Sequence, residues 1–438
     1  MNYSKPFLPP AVNDNSLIVS SPTVDRMLLK LPYGEGGLLK AKVPDENLAG
    51  IVGPHEVHCA ADEIERALSK PFGRALDIFL KDAEDIVFLV NDGTRPTPTS
   101  RVLDALASHM DLKKARYLIA TGAHRGPTES ELKFIFGDHL DALRKNIVVH
   151  DARHSKCVHL GVSKNGTDMD VNEIAVNADR LIIITSVEPH YFAGYTGGRK
   201  SFLPGVASYK TIEQNHRLAM RPEAQTLVLD GNPVHEDMMD ALSVVKKDIF
   251  SIQVVLDRHQ RIYKAAAGDL HKAFRQAVEW ADEVFSITIK QRYDAVITVA
   301  PYPMDVDLYQ SQKAIDNAKW ALKDGGTLIL VAKCREGMGE ETFAKQLSSS
   351  PDKKKVLRSL AKEYKLGYHK AAKVAEVMCS ADLWAVTALD PQRLNDMGIV
   401  PFGTLQEAVD ELLKQKPKAQ ILVLLDGSVT VPKVREDE

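Results

Sequence analysis

The chain has 438 residues, 44% apolar and 26% charged, which is enough for more than one hydrophobic core and unlike a disordered or fibrous composition. Its 56 basic and 59 acidic residues give a formal charge of -3, so the broad electropositive surface that nucleic acid or an anionic membrane needs is excluded and a small-molecule partner is expected. Four scattered cysteines, Cys59, Cys157, Cys334 and Cys379, form no Cys-x-x-Cys pair; neither a disulfide framework nor a thiolate zinc site is expected, and a reducing, cytoplasmic setting fits them.

The opening Met-Asn-Tyr-Ser-Lys-Pro-Phe-Leu-Pro-Pro lacks a continuous apolar segment, and no later run approaches the ~18 apolar residues of a membrane span. Met27 to Leu31 and Leu38 to Val43 flank Pro-Tyr-Gly-Glu-Gly-Gly, a hairpin pattern expected to cap or flank the main sheet. Four short apolar runs follow, at Ile86 to Val90, Tyr117 to Ala120, Ile147 to Val149 and Leu181 to Ile184, with helical patterns such as Arg101 to Met110 and Glu129 to Lys145 among them. Strands alternating with helices imply right-handed crossovers and a mainly parallel, doubly wound α/β sheet. A second α/β pattern starts near residue 280, with strands at Ala295 to Ala300, Leu328 to Ala332, Leu383 to Val386 and Ile421 to Leu425. The spacing thus predicts two Rossmann-like domains, 1–280 and 281–438, with the active site in the cleft between them. Ser348 to Lys355 reads as a surface connection and Lys433 to Glu438 as a fraying tail.

Open α/β sheets bind ligands beyond the carboxyl ends of their strands, and three of the first four loops there carry chemistry. Residues 91–98 are Asn-Asp-Gly-Thr-Arg-Pro-Thr-Pro, residues 121–126 are Thr-Gly-Ala-His-Arg-Gly, and residues 186–201 run from Ser-Val-Glu-Pro-His to Gly-Gly-Arg-Lys-Ser. Their polar groups are expected to converge. Gly-Tyr-Thr-Gly-Gly-Arg-Lys-Ser superficially matches a phosphate loop, but Arg199 occupies the place before the lysine where that loop needs glycine. The adjacent Gly197 and Gly198 suggest a close approach of backbone to ligand. His124, His190 and His216 lie on or just after these loops, as metal ligands or bases. Prolines 96 and 98 stiffen the loop that carries Arg95, giving its guanidinium a fixed fork for a carboxylate or phosphate, with Asp92 and Thr94 beside it. In the second domain, Gln310 and Lys313 lie three apart on one helix face. His55, His58 and Cys59 lack a fourth ligand at suitable spacing, and His150, His154 and His159 are read as structural.

In order along the chain, these elements resemble the nickel-dependent lactate racemase family. The elements are Asp92 to Pro98, Ala120 to Arg125, His190 to Lys200, Pro204-Gly205 with His216, and Tyr309 to Lys313. The resemblance covers most of the chain. It implies a nickel-pincer nucleotide, pyridinium-3,5-bisthiocarboxylic acid mononucleotide, tethered through a thioamide at Lys200 with nickel held by His216. By the same carry-over Asp92, Thr94, Gly197 and Gly198 serve the cofactor, and His124 and His190 act as acid/base groups on opposite faces of a 2-hydroxy acid. Arg95, Tyr309, Gln310 and Lys313 hold the substrate. The implied activity is racemisation or epimerisation by hydride removal from Cα and its return to the other face, through a 2-keto acid. Proteins that build the pincer are the implied partners. The resemblance associates lactate with a tryptophan before the Tyr-Gln element. Residues 300–307, Ala-Pro-Tyr-Pro-Met-Asp-Val-Asp, contain none, so an aldonic acid or hydroxy-dicarboxylate is expected as readily as lactate. The alternatives from the same residues are a nucleotide-dependent α/β transferase and a non-catalytic carrier of nickel or cofactor.

Overall fold

The structure, a computed structural model, describes residues 18–20 and 26–435. Strands β1 (Arg26–Pro32) and β2 (Leu38–Pro44) form the expected antiparallel hairpin, and β3 (Leu48–Val52) follows directly. The chain divides into two units, the first built from Glu56–Val284 and the second from Phe285 onward together with the described residues up to His55. The domain division is therefore not a single cut near residue 280.

The first unit is a six-stranded sheet of β4 (Ile86–Asn91), β5 (Ala115–Ala120), β6 (Ile147–Val149), β7 (Arg180–Ser186), β8 (Asp248–Leu256) and β9 (Ile262–Gly268). Its spatial order is β9-β8-β7-β4-β5-β6, and every pairing is parallel except β8 with β9. The parallel strands read as continuous apolar runs because helices bury both of their faces. Val87, Phe88, Leu89, Leu181, Ile182 and Ile183 are all fully shielded. Helix α1 (Thr99–Leu106) turns Val102, Leu103 and Leu106 into that core. Helix α2 (Glu129–Phe136) starts at a capping box of Thr128 and Glu131. The helical pattern to Lys145 does not persist as one helix: Gly137, at φ +57°, ends α2, and short helical turns complete the crossover. Three further helices, α3 (Tyr209–Arg217), α4 (Pro233–Ser243) and α5 (Leu270–Phe285), complete the layers.

The second unit has β10 (Tyr293–Val299), β11 (Leu322–Val331), β12 (Asp382–Val386), β13 (Val400–Phe402) and β14 (Ile421–Leu424) in the all-parallel order β13-β12-β11-β10-β14-β3. Helices α6 (Leu308–Ala318) and α7 (Tyr368–Met378) belong to it. The N-terminal hairpin flanks this sheet rather than the sheet of the first unit. Leu29, Leu31, Ala41 and Val43 share a core with Ile297, Ile329 and Val423, and Lys42 N–H donates to Gln406 Oε1 at 2.7 Å. Alternation along the hairpin leaves one apolar face, and the second sheet is where that face is buried. The expected connection at Ser348 to Lys355 is shorter, since one helix ends at Ser348 and another starts at Lys353. Of the tail, Val431–Val434 pairs with Ser286–Ile289 as a strand, and residues 436–438 lie outside the described residues.

Candidate active site

Hydrogen bonds tie the three loops at the carboxyl ends of β4, β5 and β7 together pairwise. Asp92, after β4, accepts from His124 Nδ1, after β5, at 2.8 Å. Thr97 and Ser186 share a hydroxyl contact of 2.9 Å, which fastens the β4 loop to the end of β7. Gly122 N–H donates to Gly205 O at 2.9 Å, joining the β5 loop to the turn after Lys200. The expected convergence of these loops is therefore present in the backbone as well as the side chains.

Asp92 is buried whereas the side chain of His124 is 54% exposed, so the couple has a fixed acidic end and an open imidazole end. Burial alone would raise the Asp92 carboxyl. The hydrogen bond and charge of His124, the Thr94 hydroxyl at 2.6 Å and the nearby Arg95 outweigh it and hold Asp92 below the usual carboxylate range. A carboxylate on Nδ1 fixes that ring's orientation and leaves Nε2 for proton transfer. Arg95 reaches the other way, its Nη1 lying 3.2 Å from Glu188 Oε1.

Beyond β7 the chain forms a two-residue ribbon, Pro189–His190 against Gly194–Tyr195, then a short turn, Gly198–Ser201, that carries Lys200. His190 Nδ1 accepts from Ala193 N–H at 3.3 Å, and Nε2 lies 3.3 Å from Lys200 Nζ. Phe192 is the hub: its ring meets His190 at 4.5 Å and His216 at 5.0 Å, with Lys200 Nζ 5.4 Å from its centre. His216, on α3, is buried. Desolvation first, then the charges of Lys200 and His124, push its pKa down to about 3, leaving the neutral imidazole that a metal ion requires. His124, His190, Lys200 and His216 thus form one cluster with Asp92 and Arg95 at its edge.

The glycines serve a different purpose from the one their spacing suggests. A Cβ on Gly197 would stand 2.6 Å from Val187, and one on Gly198 would stand 2.9 Å from the Phe274 ring, with φ at +85° and +52°. The space is filled by protein, and Gly198 N–H donates to Gln253 Oε1, so this amide is not aimed at a phosphate. Arg199, where a phosphate loop has glycine, is 1% exposed. It donates to the carbonyls of Ala193, Thr196 and Gly197 and lies 4.5 Å from the Phe274 ring centre; burial lowers its pKa to about 9.

Several supporting residues went unread in the sequence: Phe192, Glu188, Gln253 and Asp237. Asp237 is fully buried, bonded by Ser163, Thr167 and Asn215, and so anchors the helix that carries His216. The one available signal was polarity at buried positions, such as Ser251 and Gln253 within a mostly apolar strand.

In the second unit, Tyr309, Gln310 and Lys313 lie half-buried on the first turns of α6, whose N-cap Asp307 accepts from Gln310 N–H at 2.6 Å. Lys370 Nζ donates to Tyr309 O at 2.8 Å and stands 3.6 Å over its ring. The histidines read as structural have local partners. His150 is bonded by Ala207 O and Asn172, His154 pairs with Asp151, and His159 pairs with Asp170. Among the described residues no group of three or more His, Cys, Asp or Glu side chains could hold a metal ion. No helix among them is long and apolar enough to cross a membrane.

Residues 33–227 match the family model of the lactate racemase N-terminal domain, and residues 288–431 match that of the lactate racemase C-terminal domain. The lactate racemase of Thermoanaerobacterium thermosaccharolyticum is 35% identical over 345 residues, spanning 76% of this chain and 80% of that protein. The lactate racemase of Lactiplantibacillus plantarum is 33% identical over 418 residues, spanning 91% and 98%. Among solved structures, the lactate racemase apoprotein from T. thermosaccharolyticum aligns with a TM-score of 0.85 at 32% identity, over 93% of this chain and 100% of that one. A protein from Thermotoga maritima aligns with a TM-score of 0.65 at 16% identity, a likeness of fold alone.

Proposed function

The chain belongs to the lactate racemase family, a family of isomerases, and from that premise we propose that it inverts the Cα configuration of a 2-hydroxy acid with a nickel-pincer nucleotide held at Lys200. The observation that carries the reading is the Lys200 to His190 contact of 3.3 Å, beside a buried, neutral His216 and an open His124 braced by Asp92. A metal here needs most of its donors from a bound group, because the protein gathers no three-ligand cluster among the described residues. The donor set fits such a group. Lys200 offers a partly exposed amine for a covalent tether, and His216 offers one neutral imidazole. When bound, the pincer supplies a hydride acceptor, which a Cα–H next to an ionised carboxylate requires because it is too weak an acid for unaided proton removal.

The rest is done by the chain's own residues. Arg95 in the first unit binds the substrate carboxylate. His124 Nε2 exchanges the hydroxyl proton on one face, its charge steadied by Asp92 on Nδ1. His190 does so on the other face. Its Nε2 is the nitrogen that faces Lys200. Lactate, an aldonic acid and a hydroxy-dicarboxylate all present the carboxylate and α-hydroxyl that this set recognises.

The test is to make the chain together with pincer-building proteins and incubate it with single enantiomers of 2-hydroxy acids. Exchange of configuration at Cα and a mass increment on Lys200 are expected. A nickel-loaded preparation that exchanges none of the panel would sink the proposal.

A further inference from the structure

Of residues 181–203, only Glu188 and Lys200 keep any appreciable exposure; every other residue in that stretch is buried. Lys200 has a place in the proposed reaction and Glu188 has none. A carboxylate largely shielded amid so long a buried stretch is costly unless it has a partner. Its backbone is fixed, since Glu188 N–H donates to Thr196 Oγ1 at 2.9 Å and Thr196 N–H donates back to Glu188 O at 2.8 Å. Its side chain meets Arg95 through a single contact of 3.2 Å, with the two side chains 19% and 23% exposed. Asp92, on the other side, also feels the Arg95 charge. Arg95 therefore has two carboxylates offsetting it before any substrate arrives.

That arrangement has a consequence for charge. One contact uses one of the five N–H donors of Arg95 and one of the lone pairs of Glu188, so each can still bond to a ligand. A substrate carboxylate docking on the guanidinium comes to lie beside the Glu188 carboxylate. Hydroxyl groups further along such a substrate can donate to Glu188. A second carboxylate there meets like charge in a partly desolvated place, where repulsion is stronger than in bulk water.

Resting on the reading that Arg95 anchors the substrate, we infer that Glu188 is a positioning and specificity-determining residue that admits hydroxyl-bearing monocarboxylates and disfavours dicarboxylates. Lactate and aldonic acids then fall inside the substrate class, and hydroxy-dicarboxylates fall outside it.

The experiment compares lactate and gluconate with malate and tartrate on the loaded full-length chain, and measures lactate and malate binding to the unloaded chain by calorimetry. For the wild type, kcat/KM should favour the monocarboxylates by about tenfold or more, the scale of one like-charge contact in a partly solvated site. Glu188→Gln should raise the dicarboxylate-to-monocarboxylate ratio by about tenfold, with the shift carried by KM, whereas Glu188→Asp, which keeps the charge, should preserve the wild-type ratio. Wild-type preference for dicarboxylates, or a ratio unmoved in Glu188→Gln, overturns the inference. If no acid is turned over, the racemase reading fails instead, and calorimetry then judges Glu188 alone. Tighter lactate than malate binding, levelled by Glu188→Gln, supports its role; equal binding or none overturns it.

Discussion

The two units each fold a six-stranded sheet from similar material, yet they use buried polar groups in opposite ways. In the first, the buried carboxylate Asp92 points at a titratable side chain, bracing His124, while Asp237 grips Asn215 next to His216. In the second, buried carboxylates fasten backbone and structure. Asp305, fully buried in the loop after β10, accepts from Gly34 N–H of the hairpin at 2.9 Å and from Arg335 Nε at 3.3 Å. Asp316 on α6 pairs with Lys319 at 2.7 Å, one turn along the same helix. Buried charge alone therefore does not mark a reactive site; what matters is whether it terminates on a group that can change protonation.

That contrast breaks first at Lys200. Lys200→Ala should remove the mass increment and all measurable configuration exchange, yet shift the melting temperature little, because a partly exposed loop side chain contributes little core burial. A variant that keeps its rate would give the lysine another task. Asp92→Asn should come next, with turnover falling by roughly 10²–10⁴-fold, the usual range for disabling a positioned acid/base, while the fold persists. Because the Asp92 carboxyl is held below its ordinary range, the wild-type couple survives mild acid and is lost only when pH falls through that depressed value. A kcat unchanged in Asp92→Asn would place Asp92 with the structural carboxylates of the second unit.

Asp305→Ala should show the opposite profile, losing about 1–3 kcal/mol of stability by orphaning buried donors. Denaturant melts would register it, and an unshifted midpoint would contradict the anchoring role. The smallest effect concerns His235, which is buried near Arg199 and has its pKa pushed down to about 3 from an ordinary 6.5, by burial first and then by Arg199 and Arg275. Between those values the unfolded chain takes up a proton that the folded chain refuses, so stability falls as pH drops through that window. In His235→Gln that slope should be shallower, measured as melting temperature against pH.

Much of this was legible in the sequence, for local reasons. Ile86 to Val90 and Leu181 to Ile184 announce buried parallel strands because nothing polar interrupts them, and the loops they feed carry an unusual density of His, Arg and Lys. Strand β8 reads Asp-Ile-Phe-Ser-Ile-Gln-Val-Val-Leu, and Ser251 and Gln253 hide it from a search for apolar runs. Those two residues are polar because Ser251 bonds Gly268 O and Gln253 bonds the turn before Lys200. The hairpin was readable, but its destination was not: the core it joins is made of strands more than 200 residues further on, and local pattern carries no address. Gly197 and Gly198 were read as a close approach of backbone to ligand, but protein fills that space, Val187 beside one and Phe274, far along the chain, beside the other. Glu188, next to a proline, looks like any surface acid until Arg95 is set beside it.

The turn that carries Lys200 rests on Gln253 and Phe274, which are translated well after it. The match to the N-terminal domain ends at residue 227, before either has been made. A ribosome that has released only that much chain has made the lysine without its support, and a fragment cut there should be a poor acceptor for any attached group. On the proposed reading, loading of Lys200 waits for synthesis to pass α5, which sets an order of events: the first unit is completed before the lysine is modified.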